Sequence, residues 1–190
     1  MGAVILGALA LYLLVSIAVV KWAIRYARKH EKNTKLWGFG AAFLMYNLVF
    51  WDWIPTVVVH KYYCATEVGF WVYKTLDQWK AENPGVLEGL HQIIQPTQRM
   101  PYGSLDILDE RFAIESHRQT PISLLPTRIT EMRLIDRSTG EALAKAVDVG
   151  SGVGYIATGG SFKFWLNQKA CTAKGFWALT AQLERMRGKK

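Results

Sequence analysis

Two cysteines, Cys64 and Cys171, carry the most distinctive chemistry in this chain of 190 residues. His60 precedes Cys64 by four positions, a spacing that puts both side chains on one face of a helix, where they could share a metal ion. Two ligands fall short of the four that a structural zinc ion takes, so no metal site is predicted. An even cysteine count in an oxidising compartment favours a Cys64–Cys171 disulfide instead.

A glycine-rich segment, Gly150–Ala157, contains the pattern G-x-G-x-x-A directly after a predicted strand. This pattern binds a dinucleotide only where a helix starts within it, because the pyrophosphate then meets the helix N-terminus. Here a β-hairpin precedes the segment, and the glycines of Thr158–Gly160 follow it. We therefore interpret the segment as a loop and expect no cofactor.

The other reactive side chains form no recognisable catalytic pattern. A nucleophilic triad would have to use Ser116, His117 or Ser123, and no nucleophile-elbow motif flanks them. Three carboxylates lie close together in an apparent loop and are expected to be solvated: Asp106, Asp109 and Glu110. The sequence predicts no catalytic residues, so the protein is not expected to be an enzyme.

Two apolar runs near the N-terminus dominate the hydropathy pattern. Ala3–Val20 holds 18 residues without a charge, and Leu36–Trp51 holds another 16. A run of about 18 apolar residues is long enough to cross a bilayer core as a helix. We predict spans at about 3–24 and 36–59, the second kinked at Pro55. Residues 1–60 would then form a two-helix transmembrane hairpin.

Basic residues cluster in the loop predicted to join the two spans, at 25–35. They are Arg25, Arg28, Lys29, Lys32 and Lys35. Because short loops rich in Lys and Arg stay in the cytoplasm, the N-terminus and everything after the second span are predicted to be periplasmic. A cleaved signal sequence is disfavoured, since its charges would precede the apolar run.

The net charge of +8 does not indicate nucleic-acid binding. From His60 onward the chain has 17 basic and 13 acidic residues, a net charge of only +4. A nucleic-acid footprint would need basic residues concentrated on one face. No nucleic-acid partner is therefore expected.

Tryptophans mark the expected membrane boundaries of the second span. Trp37 lies at the predicted inner boundary, and Trp51 and Trp53 lie at the outer one, where indole rings prefer the headgroup level. Asp52 lies between the two outer tryptophans. It is expected to be a hydrated residue of the interface, and an intramembrane proton or ion site is the alternative.

Residues 61–190 are predicted to form a compact, mostly antiparallel β domain with a C-terminal helix. The clearest signal is a hairpin whose arms, 127–135 and 141–149, flank a turn with Asp136 and Gly140. The C-terminal helix is expected to pack on the domain, and a position on an anionic membrane surface is the alternative. The remaining predicted elements are strands at 70–75, 111–116 and 162–166 and helices at 60–67, 76–82 and 172–187.

One segment, Tyr63–Thr75, resembles a pattern in small membrane-anchored proteobacterial proteins that have no known activity. The shared features are Cys64, then Glu67 and Gly69, then Val-Tyr-Lys ending at Lys74. The resemblance covers about a dozen residues, with a similar strand–turn hairpin later in the chain. It implies a location in the bacterial envelope and a second cysteine partner for Cys64.

The fold class expected from these observations is membrane α+β, with a hairpin at 1–60 and an extracytoplasmic domain at 61–190. We expect a multi-pass protein of the bacterial inner membrane whose partners are the bilayer and other membrane subunits. The expected function is that of a non-catalytic accessory subunit of a larger membrane complex. The alternative is a membrane-anchored periplasmic binding module, such as a receptor, immunity or exclusion protein.

Overall fold

The chain divides into two compact units, one helical and one built around a β-sheet. The computed structural model describes residues 2–91, 95–152 and 163–186. The helical unit contains residues 2–55 and 163–164, and the sheet unit contains residues 56–91, 95–152 and 165–186. The segment Gly150–Ala157 is interpreted above as a loop, but its first two residues, Gly150 and Ser151, end a strand. From position 153 onward the segment lies outside the described residues.

The helical unit starts with two long helices, α1 (Gly2–Lys29) and α2 (Thr34–Phe50). Helix α1 is long and apolar enough to cross a membrane. The Asn33 side chain caps α2, because its oxygen accepts the backbone N–H groups of Lys35 and Leu36. An apolar helix at the N-terminus is thus confirmed.

Helices α1 and α2 pack against each other. A Cβ atom placed on Gly38 of α2 would come within 3.0 Å of the Ile24 side chain on α1, so only glycine allows this approach without a shift. Ala27 is fully buried, and the Tyr12 hydroxyl of α1 donates to the carbonyl of Met45 on α2. These contacts join the two helices as an antiparallel pair.

A break interrupts the continuous helix predicted at 36–59. Helix α2 ends at Phe50, and a third helix, α3, covers Trp53–Thr66. The break lies one turn before Pro55, because proline has no N–H to donate to the carbonyl of Trp51 and its ring clashes with that carbonyl. Helices α2 and α3 are long enough for a membrane only if they are counted together as one broken span.

Among the residues that the structure describes, the sheet unit contains a seven-stranded antiparallel sheet. Six strands follow the order β1-β6-β5-β4-β3-β2, and β7 also pairs with β6. The strands are β1 (Gly69–Val72), β2 (Gln98–Met100), β3 (Gly103–Ile107), β4 (Phe112–Gln119), β5 (Thr127–Asp136), β6 (Ala142–Ser151) and β7 (Gln168–Cys171). The predicted hairpin is confirmed as β5 and β6.

Strand β6 has two short partners along the edge opposite β5. Its first half pairs with β1, from Gly69 opposite Val147 to Val72 opposite Ala144. Its second half pairs with β7, where Val149 lies opposite Cys171. Strands β1 and β7 therefore follow one another along the same side of β6.

Two helices cover part of one sheet face and form the core with it. Helix α4 (Leu76–Glu82) starts with a capping box between Thr75 and Gln78, and helix α5 (Lys174–Met186) closes the unit. The core residues from the helices are Leu76, Trp79, Phe176 and Leu183, and those from the sheet include Phe112, Ile114, Met132 and Leu134. The α+β class and the packing of the C-terminal helix on the domain are confirmed.

Two expectations about strands are wrong. The strand predicted at 162–166 is replaced by a 3-10 turn at Phe164–Leu166, and the strand follows it as β7. Strands β2 and β3 lie where no strand was predicted. Strand β2 is a short, polar strand at the edge of the sheet, and in β3 only Leu105 and Ile107 alternate with polar residues, a pattern too short to mark a strand.

Candidate functional site

The predicted disulfide is confirmed. The sulfurs of Cys64 and Cys171 are bonded, and their Cα atoms lie 5.8 Å apart. Cys64 lies in the last turn of α3 and Cys171 ends β7. The bond thus fixes α3 to the sheet across a sequence separation of 107 residues.

A buried histidine lies beside this disulfide. The Nε2 atom of His60 is 3.4 Å from the sulfur of Cys64, 3.9 Å from that of Cys171 and 3.1 Å from the carbonyl oxygen of Lys169. His60 is 5% exposed. Three potential metal ligands meet here, but both sulfurs belong to the disulfide, so neither is a thiolate in this state.

The other nitrogen of His60 contacts a serine that the sequence analysis did not connect with it. Ser151 Oγ lies 2.9 Å from His60 Nδ1 and 3.0 Å from Thr127 Oγ1. If Nε2 donates to the Lys169 carbonyl, Nδ1 accepts from Ser151, which is the arrangement that activates a nucleophilic serine. Thr127 and His60 are buried. The contacts from His60 through Ser151 to Thr127 hold α3 on the sheet.

Asp52 in the helical unit is buried, whereas a hydrated position was expected. It is 3% exposed, and its Oδ2 atom lies 2.5 Å from Nζ of Lys163. The same ammonium group is 6.0 Å from the centre of the Trp51 ring. Burial of a carboxylate is tolerable here because a cation neutralises it. The expectation missed this pair since the two residues are 111 positions apart.

The residues that determine the predicted topology lie together at one end of the α1–α2 pair. Arg25, Arg28 and Lys29 occupy the end of α1, Lys32 the loop and Lys35 the first turn of α2. Aromatic rings lie beside these basic residues. The centre of the Trp37 ring is 5.4 Å from the centre of the Tyr26 ring and 5.1 Å from Nζ of Lys32. A basic loop next to aromatic rings is typical of a membrane interface. That this end of the α1–α2 pair lies in the cytoplasm stays a prediction.

A buried carboxylate connects α4 to the sheet. Asp136 accepts hydrogen bonds from the Trp79 indole (2.8 Å), from Arg111 (2.8 Å) and from the backbone and hydroxyl of Ser138 (2.9 and 2.8 Å). Burial raises the pKa of Asp136, but these hydrogen bonds outweigh it and lower the pKa to about 2. Asp136 is therefore a charged structural group near neutral pH.

Asp109 is also buried, which corrects the expectation that this carboxylate is solvated. Its Oδ1 atom accepts the backbone N–H groups of Arg111 (2.7 Å) and Phe112 (2.6 Å) at the turn before β4. Side-chain bonds of this kind, from Asp to the backbone two or three residues on, stabilise turns. The carboxylate thus orders the entry into β4.

Strand β1 presents an edge with large exposed side chains. Trp71 and Val72 of β1 are 45% and 44% exposed, and Tyr73, directly after the strand, is 62% exposed. One side of β1 pairs with β6, and no strand pairs with its other side within the residues that the structure describes. Lys145 lies 5.9 Å from the Trp71 ring. Strand β1 is therefore an edge of the sheet among the described residues, and exposed aromatic side chains lie on and beside it.

A basic cavity of about 580 Å³ lies on the sheet near strands β2 to β5. Its lining is mostly polar: Thr97, Arg99, Met100, Pro101, Tyr102, Gly103, Ser104, Ser116, Arg118, Thr120 and Arg128. Of the described residues, three arginines and no acidic residue line this cavity. The sequence analysis missed it, since the three arginines are separated by up to 29 positions and only the strand register unites them.

Comparison of the chain with protein families, curated proteins and solved structures finds no match. Function must therefore be argued from the surfaces of the chain itself. The two surfaces with the clearest chemistry are the free edge of β1 and the basic cavity.

Proposed function

We propose that the chain is a non-catalytic accessory subunit of a larger complex in the bacterial inner membrane. In this proposal α1 and the broken span of α2 and α3 anchor the protein as a two-helix hairpin. The sheet domain lies on the periplasmic side and contacts partner subunits.

The observation that carries this proposal is the free edge of β1. Sheet edges attract further strands, and proteins normally protect an edge with charges, proline or a covering segment. Trp71 and Val72 of β1, with Tyr73 directly after the strand, leave the surface at this edge apolar and exposed instead. Aromatic residues are enriched at protein interfaces, and partners commonly add a strand to such an edge.

Two further features support the proposed location. A disulfide such as Cys64–Cys171 persists mainly in oxidising compartments, of which the periplasm is one. The basic segment 25–35 favours a cytoplasmic position for the junction between α1 and α2. Both features agree with a periplasmic sheet domain.

Site-specific photo-crosslinking tests the edge as a contact surface. A photoreactive amino acid at Tyr73 should crosslink to a discrete membrane protein in native membranes. The same amino acid at Leu124, which is 75% exposed in a loop, is the matched control and should not. Equal crosslinking at both positions, or none at Tyr73, would contradict the proposed use of β1.

A membrane-anchored binding module is the second candidate, and the basic cavity favours it. Polar groups that converge in a cavity are typical of ligand sites. A receptor would be extracted from the membrane without stoichiometric partners, whereas a subunit would retain them. The two candidates therefore differ in what co-purifies.

A further inference from the structure

We infer that the basic cavity is a binding site for a ligand that carries two or more phosphoryl groups, either free or as part of a lipid headgroup. The site goes beyond the accessory-subunit proposal and does not depend on it. A subunit and an independent receptor could equally hold such a ligand.

The strand register puts the cavity residues on one face of the sheet. Arg99 lies opposite Ser104, and Ser104 lies opposite Ser116. On β4, Arg118 follows Ser116 by two positions. On β5, Thr130 lies opposite Arg118, and Arg128 precedes Thr130 by two positions. Because side chains alternate between faces with a period of two, all five cavity residues belong to the same face.

The same face also carries the hydrophobic core, which explains why the cavity is open. Ser116 lies opposite Met132, which is buried with Ile114 in the core that α4 and α5 complete. Further along β4 and β5, on the side of Ser116 and Met132 away from the core, Arg118 and Arg128 are exposed. The helices thus cover one half of the face, and the other half forms the cavity.

The side chains of the three arginines of the cavity have no partner within the part of the chain that the structure describes. None of their guanidinium groups forms an ion pair or hydrogen bond with another described residue, and the lining contains no carboxylate. Elsewhere in this unit arginines are paired: Arg111 with Asp136 and Arg133 with Glu131. Three unpaired cations in one cavity favour an anionic ligand.

The spacing indicates a ligand with more than one anionic group. Strands lie about 4.8 Å apart and two residues rise about 6.8 Å, so Cα atoms of Arg118 and Arg128 are roughly 8 Å apart. The same geometry separates Arg99 and Arg118 by roughly 12 Å. Since arginine side chains reach over several ångströms, Arg118 can share one anion with each neighbour, but a single small anion cannot contact all three.

The donors favour phosphoryl groups over carboxylates. Guanidinium groups bind both anions in a bidentate manner, but a phosphoryl group offers three acceptor oxygens where a carboxylate offers two. The hydroxyls of Tyr102, Ser104 and Ser116 supply further donors in the lining. A tetrahedral anion can use arginine and hydroxyl donors at the same time.

Calorimetric titration of the full chain in an uncharged mild detergent tests this site. Pyrophosphate is the probe, and inorganic phosphate and citrate are the comparison anions. We expect one saturable pyrophosphate site that is weaker for phosphate and for citrate. Arg118→Gln should weaken pyrophosphate binding about tenfold or more, since a charged hydrogen bond is lost.

Arg133→Gln is the matched control, because it removes the same charge from the opposite face of the sheet, where Arg133 pairs with Glu131. It should leave pyrophosphate binding unchanged. No saturable binding, or equal losses in Arg118→Gln and Arg133→Gln, would overturn the site. Citrate binding as tight as pyrophosphate binding would overturn the phosphoryl assignment.

The source of the phosphoryl groups is separated by repeating the titration in lipid nanodiscs. Nanodiscs of phosphatidylcholine alone are compared with nanodiscs that also contain cardiolipin, an anionic lipid whose headgroup carries two phosphoryl groups. Competition by the anionic lipid, abolished in Arg118→Gln, would support a headgroup in the cavity. Unchanged pyrophosphate affinity in both nanodiscs would support a soluble ligand.

Discussion

Replacing Asp136 with asparagine tests whether the buried carboxylate network stabilises the sheet unit. Asparagine has nearly the same shape, but it removes the negative charge that Trp79, Arg111 and Ser138 contact. Its amide NH₂ would also face groups that are themselves donors. The change therefore isolates the charge and the acceptor capacity at a position that is 1% exposed.

The expected cost follows from the pKa of Asp136. The fold lowers it from an ordinary value of 3.8 to about 2. Since one pKa unit corresponds to about 1.4 kcal/mol, the fold favours the charged form by about 2.5 kcal/mol. This stabilisation is fully present above the unfolded pKa near 4 and is lost as the pH falls through about 2. Asp136→Asn should lower the free energy of unfolding by about 2–3 kcal/mol near pH 7.

Chemical denaturation in mild detergent, followed by tryptophan fluorescence, measures this cost at several pH values. The difference between wild type and Asp136→Asn should shrink as the pH is lowered from about 5 towards 2. Glu184→Gln, an exposed change on α5, should cost less than about 0.5 kcal/mol. A difference that is below about 0.5 kcal/mol near neutral pH, or that does not vary with pH, would refute the reasoning.

Three further predictions concern the disulfide, the core and the topology. The double change Cys64→Ser and Cys171→Ser should lower the free energy of unfolding by about 2–5 kcal/mol, because it releases a long loop; equal stability of wild type and variant would contradict this. Phe176→Ala should cost about 3–5 kcal/mol, and the exposed neighbour Trp177→Ala much less; similar melting shifts would contradict the assigned core. Neutralising the basic residues in 25–35 should move a C-terminal alkaline phosphatase reporter from the active periplasmic to the inactive cytoplasmic side; unchanged activity would contradict the topology.

Much of the fold could be predicted because local signals and tertiary structure agree. Helix α4 carries its own capping residues at Thr75 and Gln78, and the β5–β6 hairpin carries its own turn at Asp136–Gly140. Strands β2 and β3 could not be predicted, since pairing with neighbouring strands, β2 with β3 and β3 with β4, stabilises them rather than a local pattern. Gly103 shows this dependence: a Cβ atom there would collide with the backbone carbonyl of Ser116.

The candidate sites were harder to predict, because each unites distant parts of the chain. The disulfide was accessible since only two cysteines exist. The contacts of His60 with Ser151 and of Asp52 with Lys163 span 91 and 111 positions, and no local pattern marks them. The basic cavity depends on the register of four strands, two of which the sequence did not indicate.

The most direct test of the accessory-subunit proposal is a native pull-down with a quantitative readout. The chain is tagged at its C-terminus, extracted from its own membranes in mild detergent and analysed by mass spectrometry for bound proteins and their ratio. The proposal predicts a fixed set of membrane proteins in a constant ratio to the chain. A chain that emerges alone, whether monomeric or self-associated, would contradict it.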